Sequence, residues 1–419
     1  MKNIKHTLFL MLIIFSVFIA DINAATFFSG NAGGKINFGS NPNESKYDPD
    51  MKLQAFFAGQ FSLSNNMWAH TEFSIDTDDF ISSSIFSETP SMFQIDELSF
   101  TTRNTFSLGI NYFSAYMGTY DPIGSDIFLQ RYIGIAPINS KLTESYLGLA
   151  GSILYPHFGF GVSDIVKLYD QPFTFGGYVY LNKEKQISEI AANNASNNGA
   201  SKNKDIFVLN TDLRFACVLR YFICDLAFGI GAPVGNNKQY EGLVIAIDKL
   251  YWHIGGSILV GNNYTTSLFL QTGFNGAFTN PPTPPEKMYL ILEPRFIIGD
   301  FNLNVSLFNL PKDTVKQLLI LDDGLGIDVN FYNEKFNFGS NPRTFSMGGH
   351  ICFSIKNRTV FDFGKQKFFE DGISINITPY ISTEFAGGEV HAQIAIKAME
   401  FAKSFGKAFS FDIGYKKQF

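Results

Sequence analysis

The chain contains 419 residues and carries 32 Lys and Arg against 38 Asp and Glu, a formal net charge of -6. Aromatic residues make up 16% of the chain and charged residues only 17%, below the roughly 25% of ordinary soluble domains. The apolar content excludes an intrinsically disordered protein, and the acidic balance excludes a strongly basic nucleic-acid-binding protein. Because there are only three cysteines, a small domain built on a disulfide framework is excluded as well.

The N-terminus has the three parts of a secretory signal peptide. Two lysines precede an apolar run over 8–20, and small residues follow at Ala24 and Ala25. The rival interpretation is a membrane anchor. A helix over this run would be roughly 20 Å long, short of the ~30 Å of hydrocarbon that an anchor must cross. We therefore predict that residues 1–24 are a signal peptide that is cleaved near Ala24 or Ala25.

Beyond this segment, apolar and polar residues alternate with a period of two. Successive side chains of a strand point to opposite faces, so this pattern predicts strands with one apolar and one polar face. The stretch 388–399 is an example. Its apolar residues are Val390, Ala392, Ile394 and Ile396, and the polar residues between them are Glu389, His391, Gln393 and Lys397.

The same pattern recurs through most of the chain. Many of the predicted strands are long enough for a tilted bilayer crossing, which takes about nine to eleven residues, whereas the average soluble strand has about five or six. No later apolar stretch reaches the ~18 residues of a spanning helix. The predicted strands are 51–63, 67–75, 93–102, 105–113, 143–153, 157–167, 173–182, 205–218, 222–231, 241–260, 264–274, 287–298, 301–310, 325–333, 343–355, 373–385, 388–399 and 408–419.

The connections between these strands alternate between short turns, such as Arg103-Asn104, and long polar loops, such as 183–204. This alternation is typical of a barrel with short turns on one rim and long loops on the other. The predicted fold class is all-β: a transmembrane antiparallel up-and-down β-barrel of about 18 strands, with 16 to 20 open. A soluble exported sandwich or propeller is the alternative, since such sheets also alternate.

The predicted organisation has three parts: the signal peptide, an N-terminal segment over 25–50 that enters the barrel, and the barrel itself over 51–419. Further strands at 26–38 or 126–136 remain open.

The last strand carries the most specific motif. The chain ends in Phe419, with Tyr415 and Gly414 shortly before it and Asp412 two residues before the glycine. This strand resembles the closing strand of bacterial outer-membrane β-barrel proteins, although Lys417 stands where that family usually has an apolar residue. The resemblance implies recognition by the barrel-assembly machinery and a location in the outer membrane of a diderm bacterium, in contact with its lipid.

If the apolar faces contact lipid, the opposite faces line the interior. A charged inner wall suits a water-filled lumen, because water can solvate the charges. The predicted lumen-lining residues are Lys52, Glu72, Asp212, Arg214, Asp225, Glu293, Arg295, Asp328, Glu384, Glu389, Lys397, Asp412 and Lys416, with His350 and His391 on the same faces.

The segment 114–142 is the candidate constriction loop, and a solvent-facing loop with scattered charges is the alternative. The run 108–113, followed by Gly118, Pro122 and Gly124, resembles the corresponding part of substrate-selective porins, and this resemblance implies a loop that folds inward. Porins of this kind are commonly trimers, so a homotrimer is a candidate assembly. The candidate loop residues are Tyr116, Asp121, Asp126, Arg131 and Lys141.

Together these features predict a porin that passes small hydrophilic solutes passively and catalyses no reaction. Two alternatives remain: a barrel that transports hydrophobic substrates, as the fatty-acid transporters do, and a surface adhesin or structural barrel acting through its long loops. Neither a cofactor motif nor histidines at metal-ligand spacing occur in the sequence. Cys217 and Cys224 flank a tight turn, where a disulfide and two unpaired hydrophobic side chains are equally compatible with the sequence.

Overall fold

The protein is described by a computed structural model. It describes residues 27–40, 48–77, 92–122, 127–135, 138–140, 142–143, 159–182, 207–237, 242–245, 250–278, 288–310, 324–337, 344–356, 358–362, 364, 369, 372–401 and 404–419.

Nearly all of the described chain is β-strand. Strands of ten residues or more are what the long period-two segments require. The strands are β1 (Phe27–Ser40), β2 (Pro49–Ser64), β3 (Met67–Asp76), β4 (Met92–Phe106), β5 (Gly109–Gly118), β6 (Gly159–Leu168), β7 (Phe173–Asn182), β8 (Phe207–Leu219), β9 (Phe222–Asn237), β10 (Gly242–Ile245), β11 (Tyr251–Gly261), β12 (Thr266–Ala277), β13 (Tyr289–Ile298), β14 (Phe301–Leu310), β15 (Gly324–Asn337), β16 (Thr344–Ile355), β17 (Ile373–Phe385), β18 (Gly388–Lys397) and β19 (Phe409–Gln418). Short helical turns occur at Leu129–Ile133, Val360–Asp362, Ala398–Glu400 and Phe405–Ala408.

The sheet closes on itself. Consecutive strands pair antiparallel, and β1 pairs with both β2 and β19. The short β10 and the longer β11 both pair with β9, so the nineteen strands occupy eighteen positions in the wall. The predicted antiparallel up-and-down barrel of 18 strands is confirmed.

The two faces of the wall differ in chemistry. On β8, the inner residues Asn210, Asp212 and Arg214 are buried, whereas the outer residue Leu213 is 62% exposed. The outer face is an apolar belt, which is stable against hydrocarbon and costly against water. Large exposed apolar residues of this belt include Phe160, Phe175, Phe228, Ile254, Leu268, Leu307, Ile327, Ile351, Ile377 and Ile394.

The alternative of a soluble sandwich is wrong, because the apolar faces belong to one closed layer and do not pack on a second sheet. Among the described residues, no helix has the length and apolarity needed to cross a membrane.

The two rims also differ. Turns such as 65–66, 220–221 and 299–300 lie at one rim, whereas the longer connections, such as 41–48 and 183–206, all lie at the other. Both ends of the barrel chain lie at the short-turn rim, because β1 starts there and β19 ends there. This asymmetry is the one expected for outer-membrane barrels.

The seam between the first and last strands is fixed by backbone and side-chain contacts. The amide of Gly30 donates to the carbonyl of Phe419 at 2.9 Å, and the amide of Phe419 donates back to the carbonyl of Gly30 at 3.0 Å. The Phe419 ring stacks on Phe28, with ring centroids 5.2 Å apart. On the inner face, Asp412 accepts hydrogen bonds from Asn37 of β1 and Gln393 of β18, both at 2.9 Å. The C-terminal motif therefore occupies the seam itself.

Two local expectations are contradicted by the structure. β4 continues through the predicted turn Arg103-Asn104 to Phe106, because Arg103 points inward opposite Tyr112 and so continues the alternation. The described residues within 126–136 contain a helical turn, so a strand there is wrong.

Two further points concern the N-terminal third. The strand left open at 26–38 is confirmed: the segment predicted to enter the barrel contains β1, which pairs with β2 along its whole length. The predicted strand 143–153 lies outside the described residues, except for Thr143.

Replacing Leu213 by Arg tests which face contacts hydrocarbon. Leu213 lies in the middle of β8 on the outer face, where a buried charge costs about 2–4 kcal/mol. We expect Leu213→Arg to lower the free energy of unfolding by that amount in urea titrations of vesicle-reconstituted protein. The matched control is Gln54→Arg on the inner face of β2, which we expect to be nearly neutral. Equal effects of the two variants would contradict the assignment of the outer face to lipid.

Candidate functional site: the inner wall and the segment inside the barrel

The connection after β5 turns into the barrel. We call residues 119–143 the inner segment; its described parts are 119–122, 127–135, 138–140 and 142–143. More than half of its described residues are buried, and only Gln130 and Gly134 among them are exposed, although this connection lies between strands and not in the wall. The buried residues are Tyr120, Asp121, Phe128, Leu129, Tyr132, Ile138, Ser140, Leu142 and Thr143. An amphipathic connection with this many apolar side chains is stable only where it can pack, and the barrel interior provides that surface.

The first attachment of the inner segment is its own arginine. Arg131 Nη2 donates to Glu97 Oε2 of β4 at 2.6 Å, and Nη1 donates to Asp121 Oδ1 at 3.1 Å. The guanidinium also lies over the Tyr120 ring, 4.6 Å from its centroid. The Arg131 guanidinium therefore joins the inner segment to the wall at Glu97 and joins two parts of the segment at Asp121.

The second attachment comes from the wall. Arg214 of β8 donates through Nη1 to the carbonyl oxygens of Asp121 and Pro122, at 2.6 and 3.3 Å. Its remaining nitrogens hold both carboxylate oxygens of Asp225 on β9, with Nε 2.7 Å from Oδ1. The guanidinium stacks over Phe128, 4.7 Å from the ring centroid. Every face of this buried arginine has a partner, as the cost of burying a charge requires.

The third attachment repeats the second four strand positions further along the wall. Arg295 of β13 donates through Nη2 to the carbonyls of Ile138 and Asn139, at 3.0 and 2.9 Å. Its Nε donates to Glu293 Oε1 at 2.8 Å. Glu293 in turn accepts hydrogen bonds from Ser140 of the segment and from Ser306 of β14. The inner segment therefore crosses the interior from β5 to β13.

Tyrosines fill the space between the segment and the wall. Tyr116 stacks on Tyr120 with ring centroids 4.4 Å apart. The Tyr120 hydroxyl lies 2.7 Å from Ser114 Oγ, and the Tyr178 hydroxyl donates to Asp121 Oδ2 at 3.1 Å. Tyr116 itself lies on β5, not in the loop where the sequence placed it, because β5 extends to Gly118.

The inner segment divides the interior into a packed half and an open half. Inner-face side chains of β5, β7, β8, β13 and β14 are buried. Most inner-face side chains of β18, β19 and β1 to β3 remain partly exposed. We call this second region the open wall. It includes Lys35, Lys52, Gln54, Glu72, Asp76, Glu389, His391, Gln393 and Lys416.

All thirteen predicted lumen-lining residues lie on the inner face, but their surroundings differ. Seven of them are buried: Asp212, Arg214, Asp225, Glu293, Arg295, Asp328 and Asp412. The other six have contact with solvent: Lys52, Glu72, Glu384, Glu389, Lys397 and Lys416. Of the predicted loop residues, Asp121 and Arg131 belong to the inner segment, whereas Asp126 and Lys141 lie outside the described residues.

Inner-face pairs join residues two apart on one strand, as Arg295 does with Glu293, or residues of different strands. Asp212 pairs with His253 of β11, with Nε2 and Oδ1 2.9 Å apart, and not with Arg214. This contact forms across β9 at Gly229, where a Cβ atom would lie only 1.9 Å from Asp212 Oδ1. Asp328 pairs with His350 in the same way, with Nδ1 and Oδ2 2.9 Å apart.

The cysteine hairpin has the predicted geometry without the bond. Cys217 and Cys224 lie directly opposite each other on β8 and β9. Both are buried and both are free thiols, as is Cys352. The two residues pack as small apolar side chains in this structure, and the disulfide stays a prediction.

The sequence pattern missed Glu97, the wall residue that receives Arg131. A register shift between β3 and β4 at Glu72 and Phe73 moves the alternation by one residue. As a result Gln94 and Glu97 both lie on the inner face, although they are an odd number of residues apart. Gln94 lies opposite Ser74, and Glu97 lies opposite Glu72. Simple alternation cannot reveal a bulge of this kind.

The comparisons with known proteins give structural likenesses only. No protein-family model matches this chain, and no curated protein sequence matches it. A mutant of the Rh. blastica porin is 9% identical, with 94% of this chain and 100% of that chain covered and a TM-score of 0.43. A second mutant of the same porin is 10% identical at the same coverage, with a TM-score of 0.41. Salmonella typhi OmpF in complex with daunomycin is 11% identical, with 94% and 97% covered and a TM-score of 0.38.

The fold of this chain is established by its own strand pairing. It is a large closed antiparallel barrel of eighteen strand positions, in agreement with the fold that the resemblance of its C-terminal strand implies.

Replacing Arg295 tests the attachment of the inner segment. Arg295→Met removes the bonds to two segment carbonyls and leaves Glu293 buried without its cation. Because breaking a buried ion pair from one side costs about 3–5 kcal/mol, we expect a loss of that size in urea unfolding.

The double variant Arg295→Met/Glu293→Gln removes the unpaired charge as well, and we expect it to recover a large part of the loss. A single-variant cost below about 1 kcal/mol, the value of an exposed pair, would show that the pair is not a buried attachment.

Proposed function

We propose that this protein is an outer-membrane porin through which small hydrophilic solutes diffuse passively along the open wall. The observation that supports the proposal is the division of the interior into a packed part and the open wall. Eighteen strands enclose more space than wall side chains can fill, since about eight strands suffice for a filled barrel. The inner segment packs against one part of the wall, and a polar, partly exposed strip remains from β18 through β19 to β3.

In this proposal the inner segment is the constriction. It is attached at three buried arginines, so it narrows the lumen as a fixed element and not as a mobile gate. Solutes would be selected by the width left beside the segment and by the charges along the strip. No step of this mechanism requires bond breaking, and we propose no enzymatic activity.

The charges of the open wall favour weak ion selectivity. Exposed or half-buried bases on its described part are Lys35, Lys52, Lys397 and Lys416, and the acids are Glu72, Asp76 and Glu389, with Glu384 on the adjoining strand β17. Lys52 already pairs with Asp50 at 3.0 Å. Since neither sign dominates, neutral polar solutes and small ions of both signs are the proposed substrates.

Planar-bilayer recordings with purified protein test the pore. We expect discrete conductance steps and a reversal potential close to zero in a potassium chloride gradient. Uptake of a hydrophobic substrate without conductance would instead support the transporter alternative. A surface adhesin would be supported if a barrel that conducts nothing bound host surfaces through its long loops.

Shortening the inner segment tests its role as the constriction. Replacing residues 127–135 by a brief Gly-Ser linker removes Arg131 and the buried apolar side chains from the lumen. We expect the single-channel conductance to rise and larger sugars to enter in liposome-swelling assays. The control replaces the exposed turn 299–300 at the opposite rim by Gly-Gly, which leaves the lumen unchanged. An unchanged or lower conductance of the shortened barrel would rule out this constriction.

The proposed route to the membrane begins with export. We propose that the signal peptide over 1–24 is cleaved, that the barrel-assembly machinery reads the C-terminal strand, and that the barrel inserts into outer-membrane lipid. A homotrimer is the proposed assembly. Cleavage near Ala24 or Ala25 would leave β1 complete, because β1 starts at Phe27. N-terminal sequencing of the mature protein should therefore start at Ala25 or Thr26, and a start inside β1 would contradict this assignment.

A further inference from the structure

A group of metal-ligand side chains lies on the inner face of β3 and β4. His70 and Glu72 are two residues apart on β3 and share the inner face, and the strand register places Glu97 of β4 directly opposite Glu72. One ligand atom from each of the three residues lies within 4.8 Å of the other two. His70 Nε2 and Glu72 Oε1 are already 2.8 Å apart. Two rigid neighbouring strands therefore bring an imidazole and two carboxylates together.

The local charge favours a cation. Arg131 neutralises part of the cluster, but its guanidinium is shared between Glu97 and Asp121. Asp96 adds another carboxylate beside Glu97, close enough to Glu72 for the two charges to repel. Its Oδ2 atom is buried and accepts no hydrogen bond among the described residues. The acids therefore outnumber the permanent bases in direct contact with them, an arrangement that a bound divalent cation would relieve.

The cluster is both held in place and open to solvent. Glu97 is 2% exposed and is fixed by Ser99 Oγ, 2.6 Å from Oε1, and by Arg131, 2.6 Å from Oε2. Hydrogen bonds of this kind orient carboxylates that bind metals. The side chains of His70 and Glu72 are 18% and 22% exposed on the open wall. A cation could therefore reach the cluster from the lumen.

We propose that His70, Glu72 and Glu97 form a binding site for a divalent transition metal of the Zn²⁺ type. Imidazole and carboxylate ligands suit Zn²⁺ and its neighbours in the first transition row. Three protein ligands leave a fourth position for water. Ca²⁺ and Mg²⁺ fit less well, because they prefer all-oxygen coordination with six or more ligands. The site goes beyond solute diffusion: bound metal would place positive charge on the open wall, next to the point where the inner segment attaches.

The test measures binding directly and does not depend on conductance. Folded protein in detergent is titrated with Co²⁺, and its visible absorption band is followed, with Zn²⁺ added as competitor. We expect one Co²⁺ per chain, displaced by Zn²⁺. His70→Ala and Glu72→Gln should each weaken binding by about ten-fold or more, the size of effect typical for perturbed metal sites. Both variants change half-exposed side chains, so folding is retained, and heat-dependent gel mobility checks it.

Two matched controls separate this site from other metal-binding groups. His391→Ala removes another inner-face histidine of the open wall, and Cys217→Ser/Cys224→Ser removes the facing thiols. We expect both to bind Co²⁺ as the native chain does. The proposal is overturned if the native chain binds no stoichiometric Co²⁺, or if His70→Ala and Glu72→Gln bind it with native affinity. Conductance recorded on the same preparations reports on the porin function separately, so either proposal can fail alone.

Discussion

The structure depends on one constraint: in hydrocarbon, every backbone amide and carbonyl must find a partner within the protein. An open sheet would leave two unpaired edges, so the first and last strands have to meet. The reciprocal hydrogen bonds between Gly30 and Phe419 and the stacking of Phe419 on Phe28 complete that seam. Closure also places both ends of the barrel chain at the same rim, because an even number of antiparallel strand positions, here eighteen, returns the chain to the rim where it began.

A barrel closed by eighteen strand positions also has a wide interior. The inner segment occupies part of it, and there the surroundings become apolar and water is excluded. Charges in such a place must be paired and hydrogen-bonded. Arginine suits this position, because its planar fork can bind a carboxylate of the wall and backbone carbonyls of the segment at the same time. Arg214 and Arg295 do this in the same manner at two places in the wall, four strand positions apart. A lysine, with one nitrogen, could not reproduce both contacts.

The alternation of residues was sufficient to predict the barrel, because lipid and lumen impose opposite chemistry on successive side chains. It was less decisive where that contrast is weak. β1 contains Gly30, Gly33 and Gly34 and few large apolar residues, so the sequence left open whether 26–38 is a strand of the wall. Arg103 and Asn104 resembled a turn because they are polar neighbours, although Arg103 only continues the inner face.

The contacts of the site were less predictable than its residues. Parity along a strand places Arg214 on the inner face, but only the register between β8 and β9 shows that its partner is Asp225 and not Asp212. Register depends on bulges and turn lengths that no single strand reveals. The cluster of His70, Glu72 and Glu97 cannot be read from the sequence for the same reason. Its third ligand, Glu97, comes from the neighbouring strand, beyond a bulge.

A count of charges along the sequence therefore describes the pore poorly. The acid excess of the inner face suggests a preference for cations until the buried pairs are removed from the count. Asp225, Glu293 and Glu97 are each held by an arginine, and Asp412 is held by two amides of the seam. These acids stabilise the inner segment and the closure, and they contribute little field to the open wall. In the proposed pore, a passing solute would meet the balanced charges that remain on the open wall. Their net sign is set by where the inner segment lies, because the segment decides which charges are buried and which remain in water.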